Sequence, residues 1–242
     1  MLSLLRKRLE ERSDSVSSCP STPPPTTTWF EPPTIDFCLM TVEHEEKVFQ
    51  LVIDTFFRDE PLNKCLAFNL PDEAEEFARV IISNALRDQC SFVAIDVQTQ
   101  QIIGVALNVI KHRQLNQSNQ NNFQSEKLRF ILGILQHVHG EIDLFHRFNA
   151  EHLLHIAVIA IDPQYRGLRL TEKFIQASLQ HAKQHLHVQG VYVEATSLYS
   201  AKAFRKQGFQ ILNETIYLDY DRVRLANLAG EHDRCQLLAK EL

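Results

Sequence analysis

Apolar residues recur along this chain with two periods, and the switches between them predict its elements. "IDFCLM" (35–40) is a short apolar run and reads as a strand. From Glu43 to Phe57, Val48, Leu51, Val52 and Thr55 fall at helical spacing, which predicts an amphipathic helix. "RDEPLNKCL" (58–66) breaks that rhythm at Pro61 and reads as a loop. Pro71 opens a second helix running to about Arg87, with Asp72 and Glu73 in the first turn, where the helix dipole favours acids. "SFVAIDV" (91–97) and "IIGVALNVI" (102–110), joined by the polar "QTQQ", read as a hairpin.

The second half starts with "RQLNQSNQNNFQ" (113–124), a low-complexity polar loop. A helix follows from Ser125 to about His139, with Leu128, Ile131, Leu132 and Leu135 on one face. "LLHIAVIAI" (153–161) is apolar on both faces, as a central strand should be. The pattern then gives a helix from Gly167 to about His187, a strand "GVYVEA" (190–195) and a short helix "LYSAKAFRKQ" (198–207) ending at Gly208. "FQILNETIYLDY" (209–220) reads as a strand, and "CQLLAKEL" (235–242) adds a last one. The fold class is α+β, without internal repeats. One strand–turn–helix–strand unit sets two parallel strands side by side, with the turn at their carboxyl ends, where ligands usually sit in such sheets.

Composition narrows the setting. Of 242 residues, 44% are hydrophobic, enough for one good-sized core. The tract "SDSVSSCPSTPPPTTTWFEPP" (13–33) cannot build one, so residues 1–33 are expected to be a disordered tail and 34–242 the folded domain. A net charge of −5 leaves no electrostatic footprint for nucleic acid. Five cysteines, never spaced as CxxC, fit reduced, cytoplasmic usage rather than a disulfide frame or zinc site. The opening "MLSLLRKRLEERSDS" lacks the apolar core of a signal peptide and is too acidic for a transit peptide. The longest apolar run, "IAVIAI" (156–161), is too short to cross a bilayer. A cytoplasmic monomer with no membrane partner is expected.

The chemistry concentrates in "IDPQYRGLRL" (161–170). Gly167 can take backbone angles that other residues avoid. The N–H groups from Gly167 to Thr171 open a helix, and with Arg166 or Arg169 they make a seat for a phosphate; a plain tight turn is the alternative. His181 and His185 lie four apart on a helix, with His187 beyond, but no HExxH or third ligand accompanies them. They read as a solvated face, and no metal is expected. His155 lies on the central strand and reads as a satisfied sheet histidine, with a water-mediated proton relay as the alternative.

The turn resembles the acetyl-CoA segment of the GNAT acetyltransferases, Gln/Arg-x-x-Gly-x-Gly/Ala. "FFRDEPLN" (56–63), "SLYSAKAFRKQGF" (197–209) and the ending "LLAKEL" extend the likeness to the insect-type arylalkylamine N-acetyltransferases, from about residue 35 onward. The resemblance implies a mixed, mostly antiparallel sheet flanked by helices. It also implies direct acetyl transfer from acetyl-CoA to a small arylalkylamine such as dopamine, serotonin or tyramine, without a covalent enzyme intermediate. It places Ile159, Ala160 and Ile161 along the pantetheine arm, and Arg166, Gly167, Leu168, Arg169, Leu170 and Thr171 around the pyrophosphate. It maps the general base onto Glu60, which Pro61 holds extended, and leaves Asp59 as a turn or capping residue. The family's two implicated serines fall at Thr196 and Ser200, and Tyr199 is the acid by wider GNAT analogy. Thr196 or Ser197 is also expected to cap the short helix. The chain departs from the pattern at Arg169, where a small residue is usual, and at Thr171 and Glu172. That arginine either crowds the pyrophosphate or grips it. A polyamine acceptor, or a non-catalytic acyl-CoA-binding module, are the competing readings.

Overall fold

The computed structural model describes residues 33–113 and 123–242; the N-terminal tract and most of the polar loop lie outside the described residues. The strands are β1 (Ile35–Leu39), β2 (Phe92–Asp96), β3 (Gln101–His112), β4 (His152–Ile161), β5 (Gly190–Ala195), β6 (Gln210–Ile216) and β7 (Arg234–Glu241). The helices are α1 (Glu45–Val52), α2 (Pro61–Cys65), α3 (Asp72–Asp88), α4 (Glu126–His139), α5 (Leu144–Arg147), α6 (Leu170–His185), α7 (Leu198–Lys206) and α8 (Tyr217–Tyr220). One sheet in the order β1-β2-β3-β4-β5-β7-β6 carries them all. Its pairs are antiparallel except β4 with β5.

Alternation along the strands sends side chains to two faces. Val105 packs with Val48, Val52 and Ile82 under α1 and α3, while Ala106 next to it packs with Leu170 and Phe174 of α6. At the other end of the sheet, Leu237 joins Ile134 and Val138 of α4, while Leu238 joins Ala201 and Phe204 of α7. A network of polar groups is buried among these layers. At an irregularity in the β3–β4 register, the Asn108 amide donates to the Cys90 carbonyl at 2.7 Å and to Ser178 Oγ at 2.8 Å.

The β4–β5 pair decides where a ligand can lie. Only Leu153, Leu154 and His155 pair with β5, opposite Gly190, Val191 and Tyr192. Beyond His155 the two strands diverge, so Ile156–Ile161 pair with β3 on one side but have no strand partner on the other. The sheet opens there as a fork.

Three expectations need correction, and one helix was not expected. The helix expected to end at Phe57 widens into a π-helical turn over Ile53–Phe57 and then resumes through Asp59. The expected loop at 58–66 contains α2, because Pro61 occupies a first-turn position that needs no N–H donor, and the Glu60 side chain caps it. The strand expected to run to Tyr220 ends at Ile216, where Tyr217 turns inward, fully buried, in α8. The pattern gave no sign of α5, which Asp143 caps by accepting from the His146 N–H. The four described cysteines are unpaired, and no described helix is long and apolar enough to cross a membrane.

Candidate active site

The fork opens into one large cleft that brings together Glu60, Thr196, Ser200, the Arg-Gly turn and most of β4. Glu60 reaches it because of the π-helical turn before it and α2 after it. Its backbone is extended (φ −65°, ψ 133°), as the following proline requires, and Oε2 accepts from the Asn63 N–H at 2.8 Å. The residue is only 8% exposed, and burial pushes its carboxyl above the usual carboxylate range. The Thr196 hydroxyl lies against the carboxyl and eases its ionisation, but Oε1 has no regular hydrogen-bond partner among the described residues. A buried carboxyl with one satisfied and one open oxygen is poised to accept a proton.

The other hydroxyls are differently engaged. Ser197 is the cap of α7, accepting from the Ser200 N–H at 3.1 Å. Ser200 Oγ donates back to the Ser197 carbonyl at 2.9 Å, so it must rotate before it can protonate anything in the cleft. Tyr199 is exposed, and its hydroxyl donates to Glu231 at 2.6 Å. That bond raises its pKa, making it a weaker acid than an ordinary tyrosine. Thr196 stands apart from this group, next to the carboxylate.

The Arg-Gly turn is fixed at both ends. The Tyr165 hydroxyl donates to Asp96 at 2.6 Å, and Arg166 pairs with Asp59 at the same distance, tying the turn to the segment that carries Glu60. Gly167 adopts φ +87° and an added Cβ would meet nothing within 4 Å, so its backbone is open to a close approach. Arg169 is also left-handed, at φ 58°, immediately before α6. The geometry therefore explains why a small residue suits that position, and arginine holds it at a cost. With Arg166 paired to Asp59, Arg169 is the turn's cation without an ion-pair partner among the described residues, and Glu172 pairs with Lys206 at 3.3 Å. An open glycine, the N–H groups starting a sixteen-residue helix and an arginine suit a pyrophosphate, and the open edge of β4 suits an amide-bearing arm.

One part of the cleft was not anticipated. Glu194 of β5 accepts from Nε2 of both His139 and His155, each at 2.6 Å. The two histidines hold its carboxyl far below the usual range despite burial. His155 also stacks on Tyr192, with ring centres 4.5 Å apart and planes 2° from parallel. Its partners lie 39 residues away at Glu194 and 37 at Tyr192, beyond the reach of local pattern. The one available signal was a lone acid in the otherwise apolar strand "GVYVEA". Among the described residues, no group of three or more His, Cys, Asp or Glu side chains is placed to hold a metal.

Comparison with known proteins identifies the fold that carries this cleft. Residues 46–209 match the acetyltransferase (GNAT) family. Arylalkylamine N-acetyltransferase 2 from Aedes aegypti superposes with a TM-score of 0.77 at 27% identity, over 86% of this chain and 98% of that one. The Drosophila melanogaster polyamine N-acetyltransferase that forms N-acetylagmatine gives 0.71 at 24% identity, over 86% and 100%. Arabidopsis thaliana NAA60, solved with acetyl-CoA, gives 0.53 at 15%, over 86% and 99%. The last two likenesses show the fold alone. With the family match covering most of the domain, the chain belongs to the GNAT acetyltransferases, enzymes that use acetyl-CoA.

Proposed function

We propose that this N-acetyltransferase moves the acetyl group of acetyl-CoA to the primary amine of a small arylalkylamine, with Glu60 as the general base. The observation that carries this reading is the buried Glu60 carboxyl, with Oε1 unpartnered among the described residues, on the wall of the same cleft as the fork and the Arg-Gly turn. Acetyl-CoA supplies an activated thioester. Ile159, Ala160 and Ile161 would hold its arm along the open edge of β4, with Leu168 and Leu170 flanking the turn. Gly167, Arg169 and Thr171 would hold its phosphates, while Arg166 positions the turn through Asp59.

An alkylamine arrives protonated, since its pKa lies near 10.4, and must lose a proton before it can attack. Glu60 holds the cation and takes that proton, and Thr196 steadies the carboxylate as it ionises. The amine then attacks the carbonyl carbon; the C–N bond forms, the C–S bond breaks, and the departing sulfur takes a proton from Ser200, once its hydroxyl has rotated, or from Tyr199, the donor regaining one from the nitrogen as the amide becomes neutral. The acceptor end of the cleft is walled by Phe57, Phe77, Phe123, Leu128, Ile131 and Leu132, which suits a flat apolar body. A second carboxylate, Glu194, faces the same cleft and favours a polyamine. Both its oxygens are already bonded to histidines, however, so the monoamine reading is preferred.

Thiol release from acetyl-CoA against tyramine, dopamine, serotonin, agmatine and spermidine tests this reading. Turnover highest with the aromatic amines is expected. Preference for agmatine or spermidine would move the acceptor class, and acetyl-CoA binding without thiol release from any amine would overturn the enzyme reading.

A further inference from the structure

Among the described residues, Tyr217 is the largest side chain to be fully buried. Its ring packs in the apolar cluster that holds Leu62 of α2, Leu225, Leu228 and Cys235 of β7. Phenylalanine would fill that space as well, with no hydroxyl to desolvate. The hydroxyl therefore needs a partner, and it finds one at the cleft: it donates to the Thr196 carbonyl at 2.8 Å. The Tyr217 backbone is fixed in turn, its N–H donating to the Asp233 carbonyl at 2.9 Å, just before β7.

Thr196 needs such a hold. Ala195, opposite Gln236, is the last β5 residue paired with β7, and Ser197 caps α7. Thr196 is the single residue between them, outside both strand and helix. The phenol grips the peptide plane that follows it. Fixing that plane restricts the Thr196 backbone, and with it the direction of a hydroxyl that lies against the Glu60 carboxyl. Leu62, two residues after Glu60, packs in the same cluster as the Tyr217 ring, so one side chain borders both segments.

We propose that Tyr217 is a positioning residue for the general base: its phenol holds the Thr196 link so that the Thr196 hydroxyl donates to Glu60, while its ring backs α2. The proposal rests on the acetyl-transfer reading with Glu60 as base. Tyr217 takes no proton and acts only through Thr196 and Glu60. A hydroxyl donated to a carboxylate favours the charged form. Losing the phenol frees the link, withdraws that donor and raises the Glu60 carboxyl further, so less of the enzyme holds an ionised base at a given pH. The other titratable groups facing Glu60 do not compete. Burial, reinforced by the Glu60 charge, raises the pKa of Cys65 on α2, Cys235 on β7 and Tyr217 itself, so all three stay protonated through neutral pH. Asp59 and Lys64, its charged neighbours in sequence, pair with each other at 3.7 Å.

The test compares the wild-type chain with Tyr217→Phe, Thr196→Val and the double variant, using acetyl-CoA and the best acceptor of the panel above. In Tyr217→Phe the acid limb of kcat/KM should move up by about one pH unit, the worth of a hydrogen bond to a charged group. On that limb kcat/KM should be about tenfold lower, converging on the wild-type value at high pH, with acetyl-CoA affinity unchanged. Thr196→Val should give the same displacement. The double variant should give no more than either alone, since both changes withdraw one hydroxyl from one carboxylate. Carboxyl-carbon NMR should show Glu60 titrating at higher pH in each variant. An active wild type whose Tyr217→Phe variant melts earlier but keeps the acid limb and the Glu60 titration in place overturns the positioning role and leaves the enzyme reading intact. So do shifts that add in the double variant. A wild type that binds acetyl-CoA but acetylates nothing overturns both.

Discussion

At the scale of single residues, two positions of the candidate site cost local stability. Burial raises the Glu60 carboxyl above its ordinary pKa. The folded state therefore holds that proton to higher pH than the unfolded chain, and the group's contribution to stability is full at low pH and lost as pH rises through the folded value. Glu60→Gln keeps the size and the capping oxygen but removes the charge. It should lower turnover by about 10²–10⁴-fold while raising the melting temperature, more at pH 8 than at pH 5. Activity and thermal unfolding measured across that range check both halves. Arg169 is the second case. Replacing it with glycine relieves a left-handed strain of about 1–2 kcal/mol, but the freer unfolded chain takes back about 0.4–1. Stability should hardly move, so acetyl-CoA affinity reports on the side chain itself. A lost guanidinium–phosphate bond of about 1.5–3 kcal/mol weakens binding at least tenfold and flattens its salt dependence. Tighter binding by the glycine variant would mark the arginine as an obstruction.

At the scale of elements, the sequence was readable wherever one period ran long enough. α3, α4, α6 and the inner strands β2, β3, β4, β5 and β7 follow their apolar patterns closely, since each buries a continuous stripe, while the edge strands β1 and β6 bury little. What escaped were features made by one or two contacts. The π-helical turn changes the count of residues in a single turn and leaves the apolar spacing on either side intact. α2 was hidden because Pro61 marks both a loop and a helix start. The candidate base, the hydroxyls and the Arg-Gly turn were legible through motifs. Glu194 with its two histidines was not, since only the fold brings β5, β4 and α4 together. The buried network at Asn108 is of the same kind and can be tested. Asn108→Ala strands the Ser178 hydroxyl and the Cys90 carbonyl and should cost about 1–3 kcal/mol in urea unfolding, with activity preserved in what remains folded.

For the whole molecule, the first sheet contacts among the described residues begin at Thr34, whose carbonyl accepts from the Val97 N–H at 2.9 Å. A chain beginning at Thr34 should fold, bind acetyl-CoA and turn over as the full chain does. Loss of coenzyme affinity on truncation, seen by calorimetry, would assign the N-terminal tract to the domain. The wide turn at Ile53–Phe57 has a consequence for how such a domain tolerates changes in length. Each residue of an ordinary helix advances it by about 100°, so an extra residue absorbed in one turn re-aims everything after it. The helix carrying Val48 and Val52 keeps its grip on the sheet, while the segment ending at Glu60 is swung toward the cleft. Deleting one residue there would restore ideal hydrogen bonding and still point the carboxyl at the wrong place. Gaps at this point in an alignment of related chains would then mark changes of chemistry, whereas gaps in the polar loop would mark only changes of length.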